Sequence, residues 1–362
     1  MKARKAWLRV HRWLALALGL PLALTALLGA ALVVLKPLDR GWHAGLFEVA
    51  PRAAGPRLLE RAHQALVAEF GPGTAVTFRP PRAPHDSLWA LVRGPWQGTV
   101  YFDPSTAQQL GRRGEHEGAF NLLFELHSSL LMEDTGKALL AALALAYAVM
   151  LATGLVIWWP RHWRQGFACA WRRGSLRALF DLHRVGGALA GLLIAVPVLT
   201  GAYMAWRPLS STVTALAGGQ PLAPPAVPAA PQGARASLDD MVARARGLWP
   251  QAEMGYVQVP ADDRKPLRVR LRLPDDPHPN GLSSVWMHPR TGQLLEAHRW
   301  NALDPGARAY ATLYPLHIGE LWGSGHLVAN ALAGLGLAAL GGTGLALWWM
   351  RRRPRAARLP AA

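Results

Sequence analysis

Cysteine is almost absent from this chain: Cys169 is the single one in 362 residues. Intrachain disulfides are excluded. So are iron–sulfur clusters and thiolate zinc sites held within one chain, because each needs several cysteines. Acidic residues are sparse, 22 against 39 Lys and Arg, which leaves a formal charge of +17. Glycines are plentiful, yet none forms a strand–GxGxxG–helix unit, so the chain carries no dinucleotide fingerprint. His43, His63, His85, His116, His278, His288 and His298 include no pair one helical turn apart. Most of them are expected at the surface rather than in a metal site. No serine–histidine–carboxylate set can be defended from spacing alone.

Long apolar runs are what the chain does have: residues 13–35, 138–159, 185–206 and 327–349. Each exceeds the roughly 20 residues, at about 1.5 Å rise, that cross a hydrocarbon core of about 30 Å. Backbone groups in lipid must pair internally, so these runs are expected to be helices. The first begins like a signal peptide but is too long for one, and no small-x-small cleavage site follows closely. It is read as a retained helix.

The basic residues cluster. Lys2, Arg4, Lys5, Arg9 and Arg12 precede the first run; Arg161, Arg164, Arg172, Arg173 and Arg177 separate the second from the third; Arg351, Arg352, Arg353, Arg355 and Arg358 follow the fourth. All fifteen fall on one side of a four-pass topology, and the two large intervening segments are nearly balanced. This is the positive-inside pattern of a bacterial inner-membrane, multi-pass protein with both termini cytoplasmic and two periplasmic segments. The charge records orientation and attraction to membrane lipid, and no nucleic-acid partner is expected.

The expected organisation is a cytoplasmic N-terminus (1–12), a first span (13–35), a periplasmic domain (39–115) and a pre-helix segment (116–137) before the second span (138–159). A cytoplasmic loop (160–182) leads to the third span (185–206). A second periplasmic domain (209–315) contains a Pro/Ala-rich tether (218–233). A pre-helix segment (316–326), the fourth span (327–349) and a cytoplasmic tail (350–362) complete the chain. Each periplasmic segment reads as an amphipathic helix followed by three strands. Leu58, Leu59, Ala62, Ala65, Leu66 and Phe70 have helical spacing, as do Leu238, Met241, Val242, Ala245 and Leu248. Leu267, Val269 and Leu271 alternate with Arg268, Arg270 and Arg272 as in a half-buried strand. Those arginines, with Arg79, Arg82 and Arg93, could meet an anionic ligand; a solvated strand face is the plainer expectation.

The module is present twice. Leu126-His127, Thr153-Gly154-Leu155 and Trp158-Trp159 recur as Leu316-His317, Thr343-Gly344-Leu345 and Trp348-Trp349 at a constant offset (317 − 127 = 343 − 153 = 190). His11-Arg12, Gly19 and Gly29 recur as His183-Arg184, Gly191 and Gly201 (183 − 11 = 201 − 29 = 172). Neutral imidazole is a good axial ligand for iron, and a haem closed by two histidines suits electron transfer. Pseudo-two-fold symmetry would pair His11 with His183 near one membrane face and His127 with His317 near the other. That would give two b-type, bis-histidine haems. His326, whose counterpart position holds Gly136, is the reserve outer ligand. The competing reading treats these histidines as interfacial polar residues that repeat because the module repeats. His127 precedes the second run by eleven residues, which leaves open an outer site above the hydrocarbon edge, tilted helices, or a His127/His317 site that dips inward. The paired tryptophans read as interfacial anchors.

These motifs, with the turns at Asp103-Pro104-Ser105-Thr106-Ala107 and His288-Pro289-Arg290-Thr291-Gly292, make nearly the whole chain resemble the PepSY-associated transmembrane proteins. The first turn departs from the pattern, with Ala107 where the second has Gly292. The resemblance implies a membrane α-helical fold: four transmembrane helices in two repeated pairs, with two small periplasmic α+β (PepSY-like) domains. Family members include inner-membrane reductases that free iron from siderophores and resemble di-haem proteins. It therefore implies a di-haem electron-transfer protein reducing a periplasmic ferric siderophore, or another periplasmic electron acceptor. The electron donor would be a quinol or a cytoplasmic reductase. The alternative is a non-enzymatic membrane protein whose PepSY-like domains bind peptide or assist another enzyme.

The charge pattern is directly testable. Reporter fusions after Arg113 and after Ala234 should behave as periplasmic, and one after Arg173 as cytoplasmic. A cytoplasmic signal at Arg113 would overturn the topology and the histidine pairing with it.

Overall fold

A computed structural model describes residues 2–352 apart from 171, 173, 220–222 and 230–234. Arg173, Ala234, Arg353, Arg355 and Arg358, and parts of the 218–233 tether and the 350–362 tail, lie outside the described residues. The chain runs α1 (Lys2–Trp42), α2 (Ala44–Phe47), α3 (Leu58–Phe70), β1 (Ala75–Arg79), β2 (Leu88–Arg93), β3 (Gly98–Phe102), β4 (Gln109–Gly114), α4 (Ala119–Ser129) and α5 (Glu133–Trp158). After the short α6 (Trp163–Gly166) the plan repeats as α7 (Ser175–Ala205), α8 (Arg207–Leu216), α9 (Leu238–Gly247), β5 (Glu253–Val259), β6 (Leu267–Arg272), β7 (Ser283–Met287), β8 (Leu294–His298), α10 (Pro305–Ile318) and α11 (Gly323–Arg352).

Four helices, α1, α5, α7 and α11, are long and apolar enough to cross a membrane. Each extends beyond its apolar run, α1 most of all. Helix α1 packs on α5 and α11, and α7 packs on the same two, so α1 and α7 stand diagonally across a four-helix bundle. Small residues allow the close approach that helices in lipid depend on. A methyl on Gly334 of α11 would meet the Ala26 carbonyl of α1 at 2.8 Å. Leu22, Tyr147, Ile194 and Leu337, one from each helix, fill the middle of the bundle.

The two regions between the long helices, expected as separate small domains, share one antiparallel sheet of order β4-β3-β2-β1-β5-β6-β7-β8. The seam is the pairing of β1 with β5 through Val76↔Val259, Thr77↔Gln258 and Phe78↔Val257. Alternation sets its two faces. Leu88, Ala90, Val92, Leu267, Val269 and Leu271 are buried against α3 and α9, whose Leu59, Ala62, Leu66, Met241 and Ala245 complete a single core. A core shared across the seam buries more apolar surface than two separate small domains would, which is the physical reason for fusion. Each repeat has a fourth strand beyond the three expected. β4 and β8 are the sheet's edges and lack a buried alternation, so sequence periodicity did not mark them. The two matching turns adopt the same left-handed conformation, with φ of 56° at Ala107 and 65° at Gly292. Alanine bears a strain there that glycine avoids.

The sheet is tied to α1 by ion pairs. Arg113 of β4 holds Asp39 near the end of α1 through two hydrogen bonds of 2.7 and 3.0 Å, with both side chains less than a tenth exposed. Arg40 pairs with Asp86 at 2.6 Å. A buried bidentate pair fixes geometry, and removing one partner strands the other charge. Arg113→Met should therefore destabilise the protein by about 3 kcal/mol, measured as a lowered thermal midpoint in detergent. Arg93→Met, which loses an exposed pair with Glu115, should change it little.

Candidate functional site

Two helical hairpins carry the outer histidines into the bundle. After α4 the chain reverses through left-handed Leu130, Leu131 and Glu133, and Gly136 comes so close that a methyl there would strike the Ser129 carbonyl. After α10 the reversal is made at Gly319, with φ of 79°. Helix α4 then lies on α1, and α10 lies on α7. His127 reaches α1 at Thr25 and Gly29, inside the first apolar run, and His317 reaches α7 at Pro197 and Gly201. The pre-helix segments are therefore largely helical, and they carry the outer pair inward to the level of the first and third apolar runs.

The structure brings the four matched histidines together in two facing pairs. The ring centroids of His11 and His183 are 6.4 Å apart with planes at 75°. Those of His127 and His317 are 6.1 Å apart with planes at 27°. Along α1, His11 and Thr25 are fourteen residues apart, as are His183 and Pro197 along α7, so the two levels are separated by about 21 Å. His326 has no such partner. It packs on Trp322 at the start of α11, with ring centroids 4.7 Å apart.

Each of the four rings is fixed by its Nδ1. His11 Nδ1 is 2.9 Å from Thr153 Oγ1 and 3.1 Å from the Met150 carbonyl. His183 Nδ1 is 3.0 Å from Thr343 Oγ1. Both threonine hydroxyls donate to carbonyls of their own helix, Met150 and Leu340, so each must accept from its histidine. His127 Nδ1 donates to the Thr25 carbonyl at 2.9 Å, and His317 Nδ1 to the Pro197 carbonyl at 2.8 Å. All four Nδ1 atoms thus carry the proton, and each Nε2 keeps a lone pair. Among the described residues no Nε2 of the four has a hydrogen-bond partner.

Glycine lies beneath every ring. A methyl on Gly29 would sit 2.8 Å from His127 Cε1, and one on Gly201 2.9 Å from His317 Cε1. Gly154 and Gly344 stand under His11 and His183 at 3.3 Å on the same measure. The repeated Thr-Gly pairs are therefore parts of the site: threonine supplies the acceptor and glycine the room. Their recurrence at an offset of 190 was the available signal, but their roles needed the neighbouring helix. A cavity of about 1300 Å³ opens onto His11 and His183, with Gly154, Gly187 and Gly344 among its lining and Trp158 and Trp348 at its walls. Ligand pockets commonly hold about 300–1,000 Å³.

Further polar residues went unmarked in the sequence. Asp181, fully buried, accepts from Ala170 N–H, Arg177 and Arg184, and so ties the 160–174 loop to the start of α7 beside His183. Of the seven histidines expected mostly at the surface, His278 and His288 are buried, at 3% and 2% exposure. Trp158 donates to the Gly166 carbonyl and packs on Trp163 and Phe167, whereas Trp159 is exposed.

The donor set fits haem. Two imidazoles on opposite sides of one metal, at metal–nitrogen bonds of about 2 Å, set their ring centres roughly 6 Å apart. An Nδ1–H bound to carbonyl or hydroxyl oxygen is the arrangement that orients a ligating histidine and raises its basicity. Both pairs meet both conditions. No curated protein matches the chain. Residues 8–351 match the family described as PepSY-associated TM region. With that match spanning both histidine pairs, all four membrane-length helices and the sheet between them, the chain belongs to the PepSY-associated TM family.

Proposed function

We propose that this is an inner-membrane electron-transfer protein that holds two b-type haems and reduces a ferric siderophore in the periplasm. One observation carries the reading: four histidines from two copies of a module converge in two facing pairs, each with Nδ1 engaged and Nε2 free. His11 and His183 would hold one haem, and His127 and His317 the other. Haem bound there would supply a one-electron redox centre.

The chain's own residues do the rest. Thr153, Thr343 and the carbonyls of Thr25 and Pro197 keep each imidazole in the ligating tautomer. Arg161, Arg184 and Arg351, lining the cavity at the inner pair, suit the carboxylates that haem carries. Leu22, Tyr147, Ile194 and Leu337 exclude water between the two levels. The basic end of the bundle faces the cytoplasm on this reading, and the sheet lies in the periplasm. The donor is a quinol or a cytoplasmic reductase. One electron converts ferric to ferrous iron, which a hard oxygen-donor chelator binds more weakly, so the metal leaves an intact chelator.

Purified protein from haem-sufficient cells should show a Soret band with low-spin character. His11→Ala and His183→Ala should perturb one haem, and His127→Ala and His317→Ala the other, each turning partly high-spin or losing about half the haem. Gly201→Ala should disturb the outer signal alone, and His326→Ala should disturb neither. Unchanged spectra in all four histidine variants refute the assignment. Protein without haem favours the peptide-binding or accessory alternative.

Activity is read separately. Pre-reduced protein in nanodiscs should be reoxidised by a ferric siderophore, with Fe²⁺ trapped by a ferrous chelator. His127→Ala and His317→Ala should slow that step, whereas His11→Ala and His183→Ala should slow reduction by the donor. Haem that stays reduced with varied ferric chelates, yet reoxidises with another periplasmic acceptor, keeps electron transfer and removes the siderophore.

A further inference from the structure

The sheet face opposite the shared core carries positive charge that neither histidine pair uses. Arg79 ends β1, Arg82 follows in the next loop, and Arg268, Arg270 and Arg272 alternate along β6. Tyr256 of β5 lies between these strands, directly opposite Arg270 in the β5–β6 register. The β1–β5 seam is what brings an arginine of the first repeat beside those of the second. Arg272 has a carboxylate partner, Glu253 at 3.2 Å. Among the described residues Arg79, Arg82, Arg268 and Arg270 have none within salt-bridge distance. Their guanidinium hydrogen bonds go to neutral groups: Arg268 to Ser284 Oγ at 2.8 Å, Arg270 to the Gly281 carbonyl at 2.7 Å and to Tyr256 Oη at 3.1 Å, and Arg82 to Asn280 Oδ1. Two acids lie near Arg82: Glu320 is engaged by Lys36 at 3.4 Å, and Asp86 by Arg40 at 2.6 Å.

A buried donor faces the same place. His278 is 3% exposed, and its Nδ1 accepts the Asn280 N–H at 2.9 Å, so the proton is on Nε2. That Nε2 is buried without a hydrogen-bond partner, and Glu320 Oε2 is 4.0 Å away. An unpaired buried N–H is costly and awaits an acceptor. Two groups register the local field. His278 is pushed down to about 4 by burial and then by Arg270, Arg82, Arg79 and Arg272. Burial alone would raise Tyr256, yet Arg268 and Arg270 hold it below its ordinary value. The His278 ring is 5.7 Å from the Tyr314 ring. Tyr310, Tyr314 and His317 follow at i, i+4 and i+7 on one face of α10, so the patch adjoins the outer histidine pair.

We propose that Arg79, Arg82, Arg268, Arg270 and His278 form a binding site for an anionic, oxygen-rich ligand, and that, resting on the function proposed above, this ligand is a negatively charged ferric chelate. Guanidinium groups without carboxylate partners are matched to carboxylate or phenolate oxygens, and the His278 Nε2–H supplies a further donor. The arginines stand on strands and a strand loop, and none is on a membrane-crossing helix. That position favours a soluble chelate over a lipid headgroup.

Gallium(III) citrate is a redox-inert, anionic probe, so its binding can be measured apart from electron transfer. Calorimetric titration into full-length protein in phosphatidylcholine nanodiscs should show saturable binding that weakens with salt. Affinity should fall at least tenfold in Arg79→Gln/Arg82→Gln and stay unchanged in Arg93→Gln. Arg79→Gln alone, which breaks no hydrogen bond, should show the same direction if the double variant is unstable. A neutral or cationic gallium hydroxamate should bind much more weakly. Equal binding of both complexes, or insensitivity to the arginine variants, overturns the site. Loss of citrate binding when phosphatidylglycerol is added, with arginine-dependent retention of that lipid, overturns it in favour of a headgroup site. The Soret band of the same sample separates the two proposals. Arginine-dependent citrate binding without haem supports the anion site and removes the redox reading. Haem with arginine-insensitive binding removes the site and leaves the redox reading.

Discussion

The structure depends on satisfying an imidazole N–H inside a lipid-facing bundle. Water is not available there to accept it, so each of four histidines must find an oxygen on a neighbouring helix. Helix carbonyls are already committed to their own ladders, but a carbonyl has a second lone pair, and a threonine hydroxyl that donates to its own helix can accept in turn. Both solutions are used. The inner histidines take Thr153 and Thr343; the outer histidines take the carbonyls of Thr25 and Pro197. The bond fixes the tautomer and aims Nε2 away from the acceptor helix. It also requires the ring to lie nearly against that helix, which is possible because Gly154, Gly344, Gly29 and Gly201 have no side chain.

Symmetry then does twofold work. Duplication places every acceptor, glycine and histidine at matched positions, and the diagonal stance of α1 and α7 turns matched residues into facing ones. The same duplication operates above the bundle. β1 and β5 are corresponding strands, and their antiparallel pairing fuses two four-stranded units into one sheet. Histidine pairs and sheet seam are thus one operation expressed at three levels, with the Asp39–Arg113 pair holding the sheet in register with α1.

Much of this was legible in the residues. Four apolar runs announced the membrane-length helices, and constant offsets of 172 and 190 announced the repeat and its four histidines. What stayed hidden was non-local. β4 and β8 are held by one neighbour each and bury little, so neither shows alternation. Helices α4 and α10 straddle the boundary between polar domain and apolar run, and their reversals rest on Gly136 and Gly319 in places where a methyl would collide with backbone. Thr153-Gly154 was visible as a repeated motif, yet its purpose required knowing that His11, 142 residues earlier, lies over it.

The arginines show the same limit in sharper form. Arg268, Arg270 and Arg272 alternate with buried leucine and valine, which by itself describes any solvated strand face. Arg79 belongs to another repeat, and nothing in its local sequence connects it to β6. Fusion at the β1–β5 seam brings separate, ordinary charges into one field, which adds to burial in keeping His278 neutral well below the usual imidazole range. A fold rarely keeps four guanidinium groups on one face without carboxylate partners, because mutual repulsion opposes the compact state. The acid that the helices beneath do place nearby, Glu320, is shared with Lys36. Retaining the repulsion next to α10 stores electrostatic free energy that an arriving anion releases, and the sheet end is where the proposed acceptor must dock. Positive charge is thus concentrated at the cluster-bearing end of the bundle and, separately, in a smaller patch whose imbalance fits a ligand.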